Sequence, residues 1–122
     1  MKHYKAKTLC EFQMRADPLG REGRCVADIV PIYECDVCEI DNALNKLGFV
    51  IANEDSLGIS YKSKKWPKTC IRTDGPRVAP DRVPLILRQE NLFESDILKA
   101  SHQLYNLDQK IRGALRKRAW FS

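Results

Sequence analysis

The run from Cys35 to Ala52, CDVCEIDNALNKLGFVIA, changes its apolar period part-way along. Val37, Ile40, Leu44 and Leu47 follow one another at spacings of three, four and three, which puts them on one face of a helix. Asp36 precedes the first of them and accepts from orphan amides at an N-terminus, while Glu39 reaches back as the partner in a capping box. Gly48 stands where such a helix ends. Phe49 to Ala52 is then apolar at every position, as in a short buried strand. A helix feeding directly into a strand, with no second helix near it, points away from both an all-helical and an all-strand chain.

The segments on either side agree. From Tyr4 to Ala16 the chain alternates, with Tyr4, Ala6, Thr8, Cys10, Phe12 and Met14 on one side and Lys5, Lys7, Glu11, Gln13 and Arg15 on the other. That is the period of a strand with one buried face. Asp17-Pro18-Leu19-Gly20 supplies a turn, and Arg24 to Glu34 returns as a second strand. Pro31 lacks the N–H that a central strand donates, so this strand lies at an edge or bends there. Beyond the helix, Asn53 to Gly58 turns the chain into Ile59 to Trp66, and Lys68 to Thr73 forms a further strand. Pro76, Pro80 and Pro84 make 74–88 an extended surface connection. From about 92 to 119 a long helix follows, with Phe93, Ile97, Ala100, Leu104, Leu107, Ile111 and Ala114 as a stripe at spacings of four and three. The stripe is wider than a coiled-coil seam because Leu98, Tyr105 and Leu115 flank it. Packing on the chain's own sheet is therefore favoured over a homodimer through this helix, which stays as the alternative. The fold class is α+β in the order ββαββ(β)α: an antiparallel sheet of two hairpin-like halves with a short middle helix and a long C-terminal one.

The 122 residues suit one domain, 1–122. Charged residues make up 30% and no run is long and apolar enough to span a bilayer. MKHYKAKTLCEFQ carries no apolar stretch behind its lysines, so neither signal peptide nor anchor is expected, and a cytoplasmic setting follows. The net charge of +5 hides an imbalance. Residues 1–60 hold seven Lys/Arg against ten Asp/Glu, net −3, whereas 61–122 hold fourteen against six, net +8.

Five cysteines, an odd number without a secretory signal, argue against a complete disulfide framework. Cys35 and Cys38 form the only CxxC. A zinc site would add two ligands from Cys10, Cys25, Cys70 or His3, but no second close pair exists. A redox role is disfavoured because Glu34, Asp36, Glu39 and Asp41 surround the motif and oppose a thiolate. Free cysteines that pack as small hydrophobes are the default, and no cofactor is expected. The two histidines, His3 and His102, form no ligand or triad pattern, and no glycine-rich phosphate loop occurs. The chain reads as non-enzymatic.

Two basic clusters remain. In 61–72, Tyr61 and Trp66 stand among Lys62, Lys64, Lys65, Lys68 and Arg72, a combination that pairs phosphates and stacks bases. Lysines that guard a sheet edge are the competing account. In 110–118, Lys110, Arg112, Arg116, Lys117 and Arg118 exceed what a helix dipole requires. The expected function is binding of nucleic acid through these two surfaces. The alternative is a protein-binding adaptor or inhibitor of a nucleic-acid-processing complex, and behind it stands a small zinc-binding domain.

Overall fold

The structure, a computed structural model, describes residues 13–16 and 23–121, with side chains placed over 23–115. Most of the expected N-terminal strand, its Asp17–Gly20 turn, Cys10 and His3 lie outside the described residues, as do the side chains of Arg116, Lys117 and Arg118. The elements are β1 (Gln13–Ala16), β2 (Arg24–Ile29), β3 (Ile32–Tyr33), α1 (Val37–Lys46), β4 (Val50–Asp55), β5 (Gly58–Lys62), β6 (Thr69–Thr73), β7 (Val83–Phe93) and α2 (Ile97–Phe121). Short 3-10 turns at Gly75–Arg77 and Glu94–Asp96 flank β7. The fold is α+β: an antiparallel sheet in the order β1-β2-β7-β6-β5-β4, with β3 also paired to β7. Helix α2 lies over β2 and β7 and touches α1.

Helix α1 forms as its caps dictate. The Asp36 carboxylate accepts from the Glu39 backbone N–H at 2.8 Å, and the Glu39 carboxylate accepts from the Asp36 N–H at 3.1 Å. At the other end Gly48 takes φ +94°, a left-handed conformation that ends the helix without a Cβ penalty. Pro31 interrupts its strand as anticipated, dividing it into β2 and β3. The break is bridged by the Leu85 N–H, which donates to the Pro31 carbonyl at 2.9 Å.

The 74–88 connection is corrected by the structure. Only its first part is a connection, because β7 begins at Val83 and becomes the interior strand between β2 and β6. Pro84 is tolerated because it sits at the start of β7, where the pairing is with two-residue β3. Alternation then places Val83, Leu85 and Leu87 toward the helices, all buried. Pairing aligns Ile29, Leu87, Ile71 and Tyr61 across β2, β7, β6 and β5, and every member of this row is fully buried. Ile40 and Leu44 of α1 and Ala100, Leu104, Leu107 and Ile111 of α2 close over them.

Two further expectations change. Phe49 alone of Phe49–Ala52 is buried, and β4 is an exposed edge strand that continues to Asp55. The C-terminal helix starts at Ile97, since Leu92 and Phe93 still belong to β7. The apolar stripe from Ala100 to Ile111 packs on the chain's own sheet.

Candidate functional site

One residue of β2, Val26, faces two of β7, Glu90 and Asn91, because Cys25 pairs with Leu92 while Ala27 pairs with Gln89. This bulge places Asn91 at φ +58° and shifts the alternation by one residue. Leu92 therefore turns inward and Phe93 turns out, 49% exposed. Arg24 on the neighbouring strand lies 3.8 Å above the Phe93 ring and donates to the Asn91 side-chain oxygen at 3.0 Å. The half-buried guanidinium covers one face of the ring, and the rest of the Phe93 side chain is a platform open to solvent.

Beside the platform two hollows adjoin, sharing Pro67, Lys68, Thr69, Leu92 and Asp96 in their walls. The first, about 390 Å³, lies on the helix side of the sheet between Trp66, Leu92, Ala100 and Gln103, with Lys65, Lys68 and Lys99 around it. The second, about 450 Å³, lies toward the other side and is bordered by Arg24, Lys62, Lys68, Cys70, Glu90 and Phe93. Five cations thus meet two carboxylates, Glu90 and Asp96, around the two adjoining hollows, a depression in two parts.

Gln89 lies in the floor of the first hollow. It follows Val83, Leu85 and Leu87 in the core-facing register, is 2% exposed, and pairs with Thr69 on β6. Its Nε2 donates to Thr69 Oγ1 at 3.2 Å and to Gln103 Oε1 at 2.8 Å.

The residues expected at the 61–72 surface divide. Lys62, Lys64, Lys65 and Lys68 are exposed, and three of these border the hollows. Tyr61 does not belong to the surface: it is fully buried, and its hydroxyl donates to Asp41 of α1 at 3.0 Å. Burial first, then that hydrogen bond and the Asp41 charge, push its pKa upward. The strand alternation explains the error, because Tyr61 pairs with Ile71 in the core row while Lys62 faces the other way. Trp66 is half-buried and stacks on Phe49 with ring centres 6.5 Å apart, leaving part of it in the first hollow. Arg72 is held near Asp55 at 3.6 Å, away from the depression.

The 110–118 surface is also revised. Arg112 is not a solvent-facing cation: its Nε donates to both carboxylate oxygens of fully buried Asp108, at 3.1 and 3.2 Å, and its guanidinium lies 4.9 Å from the Tyr33 ring centre. The Tyr33 hydroxyl donates to the same Asp108 at 2.7 Å. Lys110 is exposed, but eleven residues separate it from Lys99, about 16 Å along a helix. The depression faces the N-terminal end of α2, and neither Lys110 nor Arg112, the members of that cluster with described side chains, borders it.

The cysteines are likewise dispersed. Among the described cysteines, Cys25 and Cys70 sit on strands that flank β7, Cys38 lies in the first turn of α1 and Cys35 precedes its cap Asp36. Among the described residues no group of three or more His, Cys, Asp or Glu is placed to share a metal ion. Burial, then Glu39 and Asp36, raise the Cys35 thiol to a pKa of about 11, the opposite of what a redox nucleophile needs. The surrounding acids are structural in part: Asp36 and Glu39 cap α1, and Asp41 accepts from Tyr61 and Asn45. His102 is exposed on α2.

Arg24, Lys99, Gln89 and Phe93 were not singled out by composition or charge runs. Gln89 had a legible signal, a polar residue closing an alternating apolar series. Phe93 did not, since only the bulge turns it outward. No family model, no curated protein and no solved structure matches this chain. No helix among the described residues is long and apolar enough to cross a membrane.

Proposed function

We propose that the protein binds single-stranded nucleic acid, without catalysing a reaction on it, along the depression between the 62–68 segment and the start of α2. The reading rests on one observation: Arg24, Lys62, Lys65, Lys68 and Lys99 converge on contiguous hollows with only Glu90 and Asp96 against them, beside an exposed aromatic ring. Cations supply phosphate contacts and the ring supplies a stacking surface, the two elements that sequence-tolerant strand binding requires.

Fluorescence anisotropy with a labelled single strand tests this. Five phosphate contacts predict a log–log salt slope of about −3.5, hence about a hundredfold loss of affinity between 50 and 200 mM salt. Lys62→Glu with Lys68→Glu should lower the magnitude of that slope by about 1.4. An affinity indifferent to salt would sink the proposal.

A second reading, a protein-binding adaptor, draws on the β4 edge. Val50, Ile51 and Leu57 are exposed there beside Glu54 and Asp55, and strand edges of this kind accept another chain. Stable co-purification with a protein after nuclease treatment, together with no strand binding by the pure chain, would favour it.

A further inference from the structure

We propose that the hollow floored by Gln89 receives the heterocycle of one nucleotide, a planar ring bearing an N–H donor, while its phosphates lie on the lysines around the mouth. The inference rests on the nucleic-acid reading above and names the chemistry of its inner site. A buried amide is costly unless it is hydrogen-bonded, and an apolar residue would pack better in the row that Val83, Leu85 and Leu87 establish. Gln89 nevertheless occupies that row at 2% exposure. The Nε2 end of its amide meets Thr69 Oγ1 at 3.2 Å and Gln103 Oε1 at 2.8 Å, which leaves the Oε1 end without those partners. Its Oε1 accepts no hydrogen bond from a described residue. The result is a polar acceptor in the lining of a cavity of about 390 Å³, within the size range of small-ligand sites, whose walls include Trp66, Leu92 and Ala100.

Each part excludes other occupants. An inorganic anion would meet an acceptor where it needs donors. An aliphatic peptide side chain would leave Oε1 unpaired and make no use of Lys65, Lys68 and Lys99. A lysine or arginine side chain would suit Oε1 but would be repelled by those three ammonium groups. A nucleobase has apolar faces for the walls, a donor edge for the amide and an attached phosphate for the lysines.

The test compares labelled 12-nucleotide single strands carrying ordinary bases with an abasic strand of equal length, on the wild-type protein at one salt concentration. The intact strand should bind about fivefold or more tightly. Gln89→Met, which keeps the shape and removes the acceptor, should weaken the intact strand by about threefold to tenfold and leave abasic affinity and salt slope unchanged. Equal wild-type affinity for intact and abasic strands overturns the inference while leaving the lysine surface standing. Absence of binding to either strand at 50 mM salt overturns both. Should Gln89→Met fail to fold, the same intact-against-abasic comparison on Phe93→Ala, which lacks the exposed stacking ring, decides: loss of the whole preference there overturns the inference. Adenosine monophosphate in competition separates the two sources of the ring: displacement at lower concentration than an unlabelled strand assigns the hollow to a free nucleotide, and the reverse order assigns it to the strand.

Discussion

Replacing Arg112 by Met should destabilise the fold rather than weaken anion binding. Asp108 is fully buried, and its carboxylate is held by Arg112 Nε at 3.1 and 3.2 Å and by the Tyr33 hydroxyl at 2.7 Å. Removing one partner of a buried ion pair costs about 3–5 kcal/mol, because the remaining charge stays away from water. The Arg112 side chain is 30% exposed, so water reaches part of the pair and the cost falls below that range, to about 2–3 kcal/mol. For a chain of this size that is roughly an 8–12 °C fall in melting temperature. Tyr33→Phe removes only a hydrogen bond to a charged group and should cost about 1.5–3 kcal/mol. Both changes act on Asp108, so the double variant should depart from additivity by at least about 0.5 kcal/mol. Lys110→Met, on the exposed side of the same helix, should stay within about 0.5 kcal/mol of wild type. Urea titration with a constant m-value is the measurement. An Arg112→Met protein as stable as the Lys110→Met control would refute the assignment of Arg112 to an internal network. The practical consequence is direct: charge reversal at 112 lowers fold stability along with any effect on binding, whereas reversal at Lys62 or Lys68 tests the surface itself.

Two further outcomes follow from the geometry. The Cys35 thiol titrates near 11 in the folded chain against an ordinary 9.0, so the stability linked to the protonated thiol is complete below pH 9 and lost as pH rises through 11. Wild type should lose more stability than Cys35→Ser across that window in urea unfolding, and parallel pH profiles would show the thiol is not perturbed. Gly58 lies at φ +146°, and an added Cβ would stand 2.7 Å from the Thr73 carbonyl oxygen. Gly58→Ala should therefore cost about 1–3 kcal/mol, and a variant melting with wild type would contradict that close approach.

Helix α1 was readable because three independent signals agreed: the Asp36–Glu39 box, the apolar spacing from Val37 to Leu47, and Gly48. Strand β7 was not, because its alternating Val83, Leu85 and Leu87 lie beside three prolines whose local meaning is a break. Pairing with β3 is a long-range fact that makes Pro84 harmless, and no local pattern announces it. The site divides in the same way. The lysines of 62–68 were legible as a charge run, whereas Tyr61 and Trp66 drew attention by type although the strand's own alternation turns Tyr61 inward. Arg24 and Lys99 come to the depression from elements far apart in sequence, and a charge count along the chain cannot bring them together.

The position of β7 also governs the order in which the protein can be made. It joins β2 to β6, yet Arg88 pairs with Asp28 at a separation of 60 residues along the chain. At roughly 5–20 residues per second, a ribosome takes about 3–12 s to synthesise that interval. Through those seconds Ala27 and Ile29 wait without the strand they pair with, and the β4–β6 half has no neighbour on its inner edge. Such non-local closure is slow relative to helix formation. The nascent chain thus passes through a stage with two incomplete sheet edges, and release from it comes only when residues 83–93 have emerged.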